Sequence, residues 1–290
     1  MINQIILNQI EKFNPTNIDE IKNSMKEVLQ NIILTGLGKT DFFNNAVFYG
    51  GTSLRIFRNL SRFSEDLDFT LTSSVSDFDF DKYLLLAKKE LDALMIESDI
   101  YGKEKKNVVT TVESKHFRFN LKKLFEVTYP DYANQIISNE TLTIKVEIEK
   151  ACFDGGNTEI KILRYPSFAQ VRTYDFETLF ASKLLAILNR SWKTRVKGRD
   201  YYDYLFYISN DIYVNLNFLE NGLKKFGYME ENEVLTIDRL KKDLKSKFES
   251  IDFEQAKLDV IPFIKKNDSF ISAFNKDVFI GTLEYLKKKE

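Results

Sequence analysis

The chain has 290 residues and a mass of 34.0 kDa, enough for one large domain or two modest ones with a core that needs no covalent staples. Hydrophobic residues make up 43% and charged residues 29%, which excludes wholesale disorder and a collagen-like fibre. Forty-two Lys and Arg against 43 Asp and Glu leave a net charge of −1, so any contact with a polyanion must be local rather than global. From the N-terminus, Ile18, Ile21, Met25, Val28, Leu29 and Ile32 recur at helical spacing, and the first ~40 residues read as helix. Ala46–Tyr49 is a short apolar run ending in Gly50-Gly51, which predicts a buried strand stopped by a tight turn. Thr52–Arg58 has helical composition, Leu67–Leu71 reads as a second strand, and Asp81–Met95 as a helix with Leu84, Leu85, Leu91 and Leu94 on its apolar side.

Val108–Val112 and Phe117–Leu121 predict an antiparallel pair of strands. In Thr141–Glu149, Leu142, Ile144, Val146 and Ile148 alternate with Thr143, Lys145, Glu147 and Glu149, so one face is buried and the other polar. Thr158–Leu163 offers one more strand. The pattern changes around Arg164–Thr173, and nearly everything beyond reads as helix. The expectation is an α+β half over residues 1–165 and a helical half over 166–290. No stretch approaches the roughly 20 apolar residues of a membrane span. Met1–Ile10 lacks the pattern of a secretory signal, so cytoplasm is the expected location.

One cysteine, Cys152, and one histidine, His116, exclude an internal disulfide and a typical structural zinc site. Metal chemistry would therefore rest on carboxylates, which favour Mg²⁺ or Mn²⁺. The informative stretch runs from Gly50-Gly51-Thr52-Ser53 to Asp66-Leu67-Asp68. Two glycines after a strand let backbone approach a phosphate closely, the following helix presents free N–H groups, and Thr52 or Ser53 can add a hydroxyl. Asp66 and Asp68, two apart on a strand, direct both carboxylates to one face. Beside a phosphate cradle they would bind divalent metal and align a triphosphate. Asp77, Asp79 and Asp81 also alternate, but no glycine turn precedes them; they read as a solvated loop with Asp81 capping a helix.

A third carboxylate would complete such a site, and Glu147 is the candidate, with Glu149 on the same strand face as its rival. The bland alternative is an edge strand carrying mixed charge against aggregation. Lys183 falls inside the apolar stripe Phe176, Leu179, Phe180, Leu184, Ile187, where an ammonium needs an anion: a nucleotide phosphate, the favoured reading, or a buried acid. After Trp192, Lys193, Arg195, Lys197 and Arg199 alternate in a basic run that is either solvated or in contact with a polyanion such as RNA. Asp200 can cap the helix that follows, and Arg199 is spaced to pair with Asp203 at i, i+4.

At these residues the chain resembles the AbiEii/AbiGii toxin family, nucleotidyltransferase-like proteins of the DNA polymerase β superfamily. The matching stretches are GGTSLRIFRN…SRFSEDLDFTL, IKVEIEK, SKLLAILNR and KGRDYYDYLFYI, spanning about Phe48 to Ile208. The resemblance implies a minimal nucleotidyltransferase domain, a mixed sheet with flanking helices, followed by a helical C-terminal domain. It also implies the toxin half of a toxin–antitoxin or abortive-infection (phage defence) pair, with a cognate antitoxin encoded nearby. Carried over by position, Gly51 and its neighbours hold the nucleotide phosphates, Asp66 and Asp68 the metals, and Glu147 the third acidic position. Lys183 becomes the basic residue on the nucleotide, and Asp200 and Asp203 the late acidic motif. The reaction implied is Mg²⁺-dependent transfer of a nucleotide from a nucleoside triphosphate to an acceptor, with the 3′ end of tRNA an acceptor of some relatives. The alternatives are kinase-like transfer of a γ-phosphate and a non-catalytic nucleotide-dependent binding module.

Overall fold

The protein, a computed structural model, is described over residues 2–73, 78–102, 111–152, 154–190, 196–265 and 268–288. It begins with α1 (Ile2–Glu11) and α2 (Ile18–Gly38), so the helical N-terminus is two helices. Asn17 starts the second, its side chain accepting from Glu20 N at 2.9 Å. Then follow α3 (Phe42–Asn45), β1 (Ala46–Tyr49), α4 (Gly50–Arg58), β2 (Leu67–Leu71), α5 (Phe80–Ala93), β3 (Asp99–Tyr101), β4 (Val112–Asn120), α6 (Leu121–Thr128), α7 (Pro130–Ala133), β5 (Thr141–Glu149), β6 (Thr158–Leu163) and β7 (Ala169–Tyr174). The remainder is helical: α8 (Phe176–Asn189), α9 (Gly198–Ser209), α10 (Leu216–Lys225), α11 (Ile237–Glu249), α12 (Phe253–Val260) and α13 (Lys276–Thr282), with short 3₁₀ turns. The class is α+β. Two units divide the chain, and not at one point: Met1–Ser53, Phe63–Cys152 and Ile160–Thr173 form the first, and Leu54–Arg62, Phe153–Glu159 and Tyr174–Glu290 the second. Against the expected halves, 54–62 and 153–159 join the later unit and 166–173 the earlier.

The sheet is seven-stranded in the order β3-β4-β5-β2-β1-β7-β6. Pairing is mixed: β1 lies antiparallel to β2 and parallel to β7, and β2 lies parallel to β5. As the alternation in Thr141–Glu149 predicts, Leu142, Ile144, Val146 and Ile148 are buried, while the polar positions between them are partly exposed. The core of this unit is strongly aromatic. Phe42 meets Phe69 edge-on with centroids 5.0 Å apart, and Phe48 lies 5.3 Å from Phe69. Helix α2 passes so close to α5 that a Cβ at Gly36 would stand 2.6 Å from Ala87 Cα.

Several expectations need correction. Of the run Val108–Val112, residues 108–110 lie outside the described residues. Val112–Asn120 is one strand, and its antiparallel partners are β3 and β5. Asp79, not Asp81, caps α5, its side chain accepting from Lys82 N at 2.9 Å; Asp81 pairs with Lys115 at 2.8 Å. Asp77 lies outside the described residues.

In the second unit, α8 packs on α9 and α10, and α9 on α12. The core again is aromatic: Phe180 stacks on Tyr207 at 4.5 Å, and Tyr201, Tyr204 and Phe248 surround Phe279.

Candidate active site

Strand β1 runs directly into α4, with Gly50 as the hinge at φ +81°, a region L side chains rarely occupy. A second constraint acts on the same residue: a Cβ there would stand 2.5 Å from Asp68 Oδ2. Gly50 and Gly51 form the first turn of α4, whose leading N–H groups have no partner within the helix. The register brings Asp68 opposite Tyr49 on β1 and opposite Glu147 on β5. Asp68 is partly exposed, while Leu67 and Phe69 on either side are fully buried. Asp66 is also partly exposed and sits one residue ahead of the strand.

Thr52 and Ser53, expected to offer hydroxyls to a phosphate, spend them inside the fold. The Thr52 hydroxyl donates to the Asp66 carbonyl, tying the start of α4 to the entry of β2. Ser53 Oγ lies 2.7 Å from Thr173 Oγ1, which itself donates to the Phe48 carbonyl at 2.8 Å, so Ser53 is the donor to Thr173. Both residues are fully buried, and an unpaired hydroxyl there would cost about 1–3 kcal/mol.

Of the two acidic rivals on β5, Glu147 is Asp68's register partner and Glu149 pairs with Thr70. Glu147 accepts from Ser114 Oγ and pairs with Lys145 at 2.6 Å; Glu149 accepts from Ala151 N at 2.8 Å. Among the described residues, no group of three or more His, Cys, Asp or Glu side chains is gathered to hold an ion. Two carboxylates near a glycine bend are nevertheless a donor set that would suit Mg²⁺, which is usually held by one or two carboxylates plus substrate phosphates, not by an all-protein cage.

Lys183, Asp200 and Asp203 lie together in the second unit. The anion that meets Lys183 is a buried acid twice over: Asp200 Oδ1 at 2.7 Å and Asp203 Oδ2 at 2.8 Å. This replaces the expected phosphate in direct contact, because a buried ammonium takes the carboxylates that the next helix supplies at i, i+3. Arg62 was not singled out from sequence. It clasps Asp203 through two bonds, Nε to Oδ1 at 2.6 Å and Nη2 to Oδ2 at 2.7 Å, the fork geometry that suits Arg to a carboxylate. Arg190, also missed, donates to Asp200 Oδ2. Its place at the end of SKLLAILNR was the available signal.

Asp200 is not a cap. The N-cap of α9 is Lys197, without a side-chain cap bond, and Asp200 sits in the first turn. Nor does Arg199 pair with Asp203: it reaches Asp259 at 3.6 Å and lies over the Phe263 ring at 4.2 Å. Burial works against the charge of Asp200, but Lys183, Arg190 and Lys197 outweigh it and hold the carboxyl well below the usual range. Arg62 and Lys183 do the same for buried Asp203. Burial would lower Lys183; Asp200 and Asp203 raise it above the ordinary lysine value. Trp192, Lys193 and Arg195 of the basic run lie outside the described residues.

The sequence model of the family described as nucleotidyl transferase AbiEii toxin, type IV TA system, matches residues 32–275. Among solved structures, MenT4, a nucleotidyltransferase toxin from Mycobacterium tuberculosis H37Rv, is similar with a TM-score of 0.59. That likeness covers 98% of this chain and 90% of that one at 14% identity, a likeness of fold. JHP933 from Helicobacter pylori matches at a TM-score of 0.49 and 20% identity over 89% of each chain. A putative nucleotidyltransferase from H. pylori matches at 0.45 and 19%, again over 89% of each. No curated protein matches the chain in sequence. No helix among the described residues is long and apolar enough to cross a membrane.

Proposed function

For a chain that belongs to the AbiEii family of nucleotidyltransferase toxins of type IV toxin–antitoxin systems, we propose that the Gly50 bend and the Asp66–Asp68 pair bind a nucleoside triphosphate with a divalent cation, Mg²⁺ or Mn²⁺. The nucleotidyl group passes to a hydroxyl of an RNA acceptor, tRNA being the class that the family resemblance implies, in the cytoplasm, where a cognate antitoxin restrains it. The observation that carries this reading is the Asp68 carboxylate lying against the Gly50 backbone. A carboxylate this close to the bend repels a bare triphosphate that the N–H groups of the bend attract, and the juxtaposition makes sense with a cation between carboxylate and phosphate.

The acceptor oxygen attacks the α-phosphorus, the bond from that phosphorus to the bridging oxygen breaks, and pyrophosphate leaves with the electron pair. The hydroxyl proton goes to a carboxylate or to solvent. A divalent cation supplies charge neutralisation for the triphosphate. The chain's own part is positioning: α4's leading N–H groups orient the phosphates, and Asp66 and Asp68 fix the charge opposite them. Glu147, on the strand beside Asp68, is the third acidic position of this reading. Lys183, Asp200 and Asp203 enter it as the family's later motifs, and residues 1–165 as the part carrying the transfer chemistry.

The test supplies nucleoside triphosphates one at a time, labelled at the α- or the γ-phosphate, to the purified protein with total cellular RNA and protein. Retention of α-label in the RNA fraction supports the reading. Transfer of γ-label alone makes the protein a phosphotransferase and overturns it, as does label confined to protein. Absence of transfer with triphosphate still bound would favour a binding module.

A further inference from the structure

Within the first unit, the polar face of the sheet does not end at the acidic pair. On this side of the sheet the strands lie in the order β3-β4-β5-β2. Asp68 on β2 stands level with Glu147 on β5, and Glu147 with Ser114 on β4. One pleat further along, Lys145 stands level with His116, and His116 with Tyr101 on β3. Register partners share a face, and so do residues two apart on a strand. The side chains meet accordingly. Glu147 accepts from Ser114 Oγ and pairs with Lys145 at 2.6 Å. The Tyr101 and His116 rings stack, with centroids 5.1 Å apart and 18° between their planes. Arg118, the next residue of this face on β4, holds its guanidinium 5.0 Å from the Tyr101 centroid. The opposite face of the same strands carries Phe117, Phe119, Ile144 and Val146, all buried.

Exposure separates this ladder from the aromatic clusters of the core. Tyr101 is 39% exposed and the Arg118 side chain 46%, whereas Phe42, Phe48 and Phe69 are fully buried. A ring and a guanidinium left in solvent add little to the core, and both are planes on which an unpaired nucleic-acid base stacks. Asp99 takes one contact from Arg118 at 3.3 Å, and a guanidinium has more N–H donors than that contact uses. With a net charge of −1 over the whole chain, a polyanion needs local cations; Arg118 supplies one at the ladder and Lys145 another on the way to Glu147. From Asp68 to Tyr101 is three strand spacings, roughly 14 Å, a span that a few nucleotides cover at about 3.4 Å each when stacked.

We infer that the ladder of His116, Tyr101 and Arg118 is the stacking platform for the unpaired 3′ end of the RNA acceptor. A base near that end stacks on the ladder, Arg118 meets the phosphate beside it, and the terminal hydroxyl reaches Asp68 and Glu147. The use of the platform in transfer rests on the function proposed above; the binding of RNA to it does not.

The experiment reads fluorescence anisotropy of a short single-stranded RNA, labelled at its 5′ end, in EDTA and without triphosphate, so that binding is measured apart from transfer. Tyr101→Ala is expected to weaken binding about tenfold, the loss of one stacked contact. Tyr101→Phe keeps the ring and should stay within about twofold. Arg118→Ala should weaken binding a few-fold and reduce the slope of log affinity against log salt by about 0.7, the share of one single-strand phosphate. Both positions are exposed, and thermal melting checks that the variants fold. RNA binding that falls in this way supports the platform even if the wild type transfers nothing, a result that would overturn only the proposed function. Transfer of α-label to RNA, with binding equal in wild type, Tyr101→Ala and Arg118→Ala, keeps that function and overturns the platform. Absence of RNA binding by the folded wild type also overturns it. So does loss of triphosphate binding in place of RNA binding, which would give the ladder to the base of the nucleotide.

Discussion

The Asp68 carboxylate lies so close to Gly50 that a methyl group on that residue would stand 2.5 Å from Oδ2. The neighbour it would strike is the end of a side chain, not backbone, so Asp68 can turn aside and the fold survives. What remains is the cost of φ +81° for an L residue, about 1–2 kcal/mol. Gly50→Ala should therefore lower the melting temperature by several degrees and displace the carboxylate from its place. Nucleotidyl transfer should fall far more than stability, by about 10²-fold. Parallel losses of activity and folded fraction would show that Gly50 serves the fold alone.

Removing the charge without the shape separates binding from folding. Asp68→Asn and Asp66→Asn keep volume at two partly exposed positions, so the unfolding midpoint should move by less than about 1 kcal/mol. If the pair neutralises the triphosphate through a cation, transfer and growth inhibition should drop by about 10²-fold or more in each. A fully toxic Asp68→Asn protein would remove that residue from the mechanism.

Arg62 and Asp203 are 3% and 0% exposed and joined by two hydrogen bonds. Breaking such a buried pair from one side strands the other charge, at about 3–5 kcal/mol. Arg62→Met and Asp203→Leu should each unfold at much lower urea. The double variant should recover part of the loss, although Lys183 then keeps only Asp200 of its two acids. Additive losses in the double-mutant cycle would mean that the two residues are not coupled.

How much of this was legible in the sequence varies with how local the cause is. The strand Thr141–Glu149 could be read outright, because period-two alternation is written in its own residues, and the burial follows it position by position. The glycine bend and the acidic pair were legible as a motif, and the closeness of Gly50 and Asp68 follows from two strands paired antiparallel with Tyr49 opposite Asp68. Strand β7 was not read, although Ala169, Val171 and Thr173 are buried and Gln170 and Arg172 between them are not: the run is only six residues long, and Thr173 meets β1 through a long-range pairing that no local signal announces. The roles of Thr52 and Ser53 were misread for a similar reason. Nothing local says that the Asp66 carbonyl and Thr173 would claim their hydroxyls. Lys183 shows both sides, since the apolar stripe revealed that it needs an anion, but only tertiary packing decides which one.

The acidic cluster of the second unit also predicts a pH dependence. Asp200 and Asp203 titrate lower in the folded protein than in the unfolded chain, where an aspartate titrates near about 3.9. The unfolded state thus binds more protons as pH falls toward and below that value, and stability falls with it. Their contribution is present above about pH 4 and lost below it. Urea midpoints should be flat from about pH 5 to 7 and drop steeply toward pH 3. Asp203→Asn should start lower and fall less steeply over the same range; an unchanged slope would show that the acid transition belongs to other groups.

The choice between the two glutamates of β5 can be decided by one pair of substitutions. Glu147 stands in register with Asp68, and two carboxylates on neighbouring strands repel unless something positive intervenes. Lys145, 2.6 Å from Glu147, supplies that charge in the protein alone, and a cation carried in with the triphosphate would compete for the same carboxylate. Glu149 stands level with Thr70 and uses its carboxylate on the Ala151 amide, a local contact that ends the strand. Glu147→Gln should therefore cost transfer about 10²-fold while sparing the fold, and should raise the divalent-ion concentration needed for half-maximal rate. Glu149→Gln should keep transfer within a few-fold and change only stability, by about 1 kcal/mol for the weakened amide contact. The reverse order, measured as rate against Mg²⁺ and Mn²⁺ concentration, would move the third carboxylate two residues along the strand.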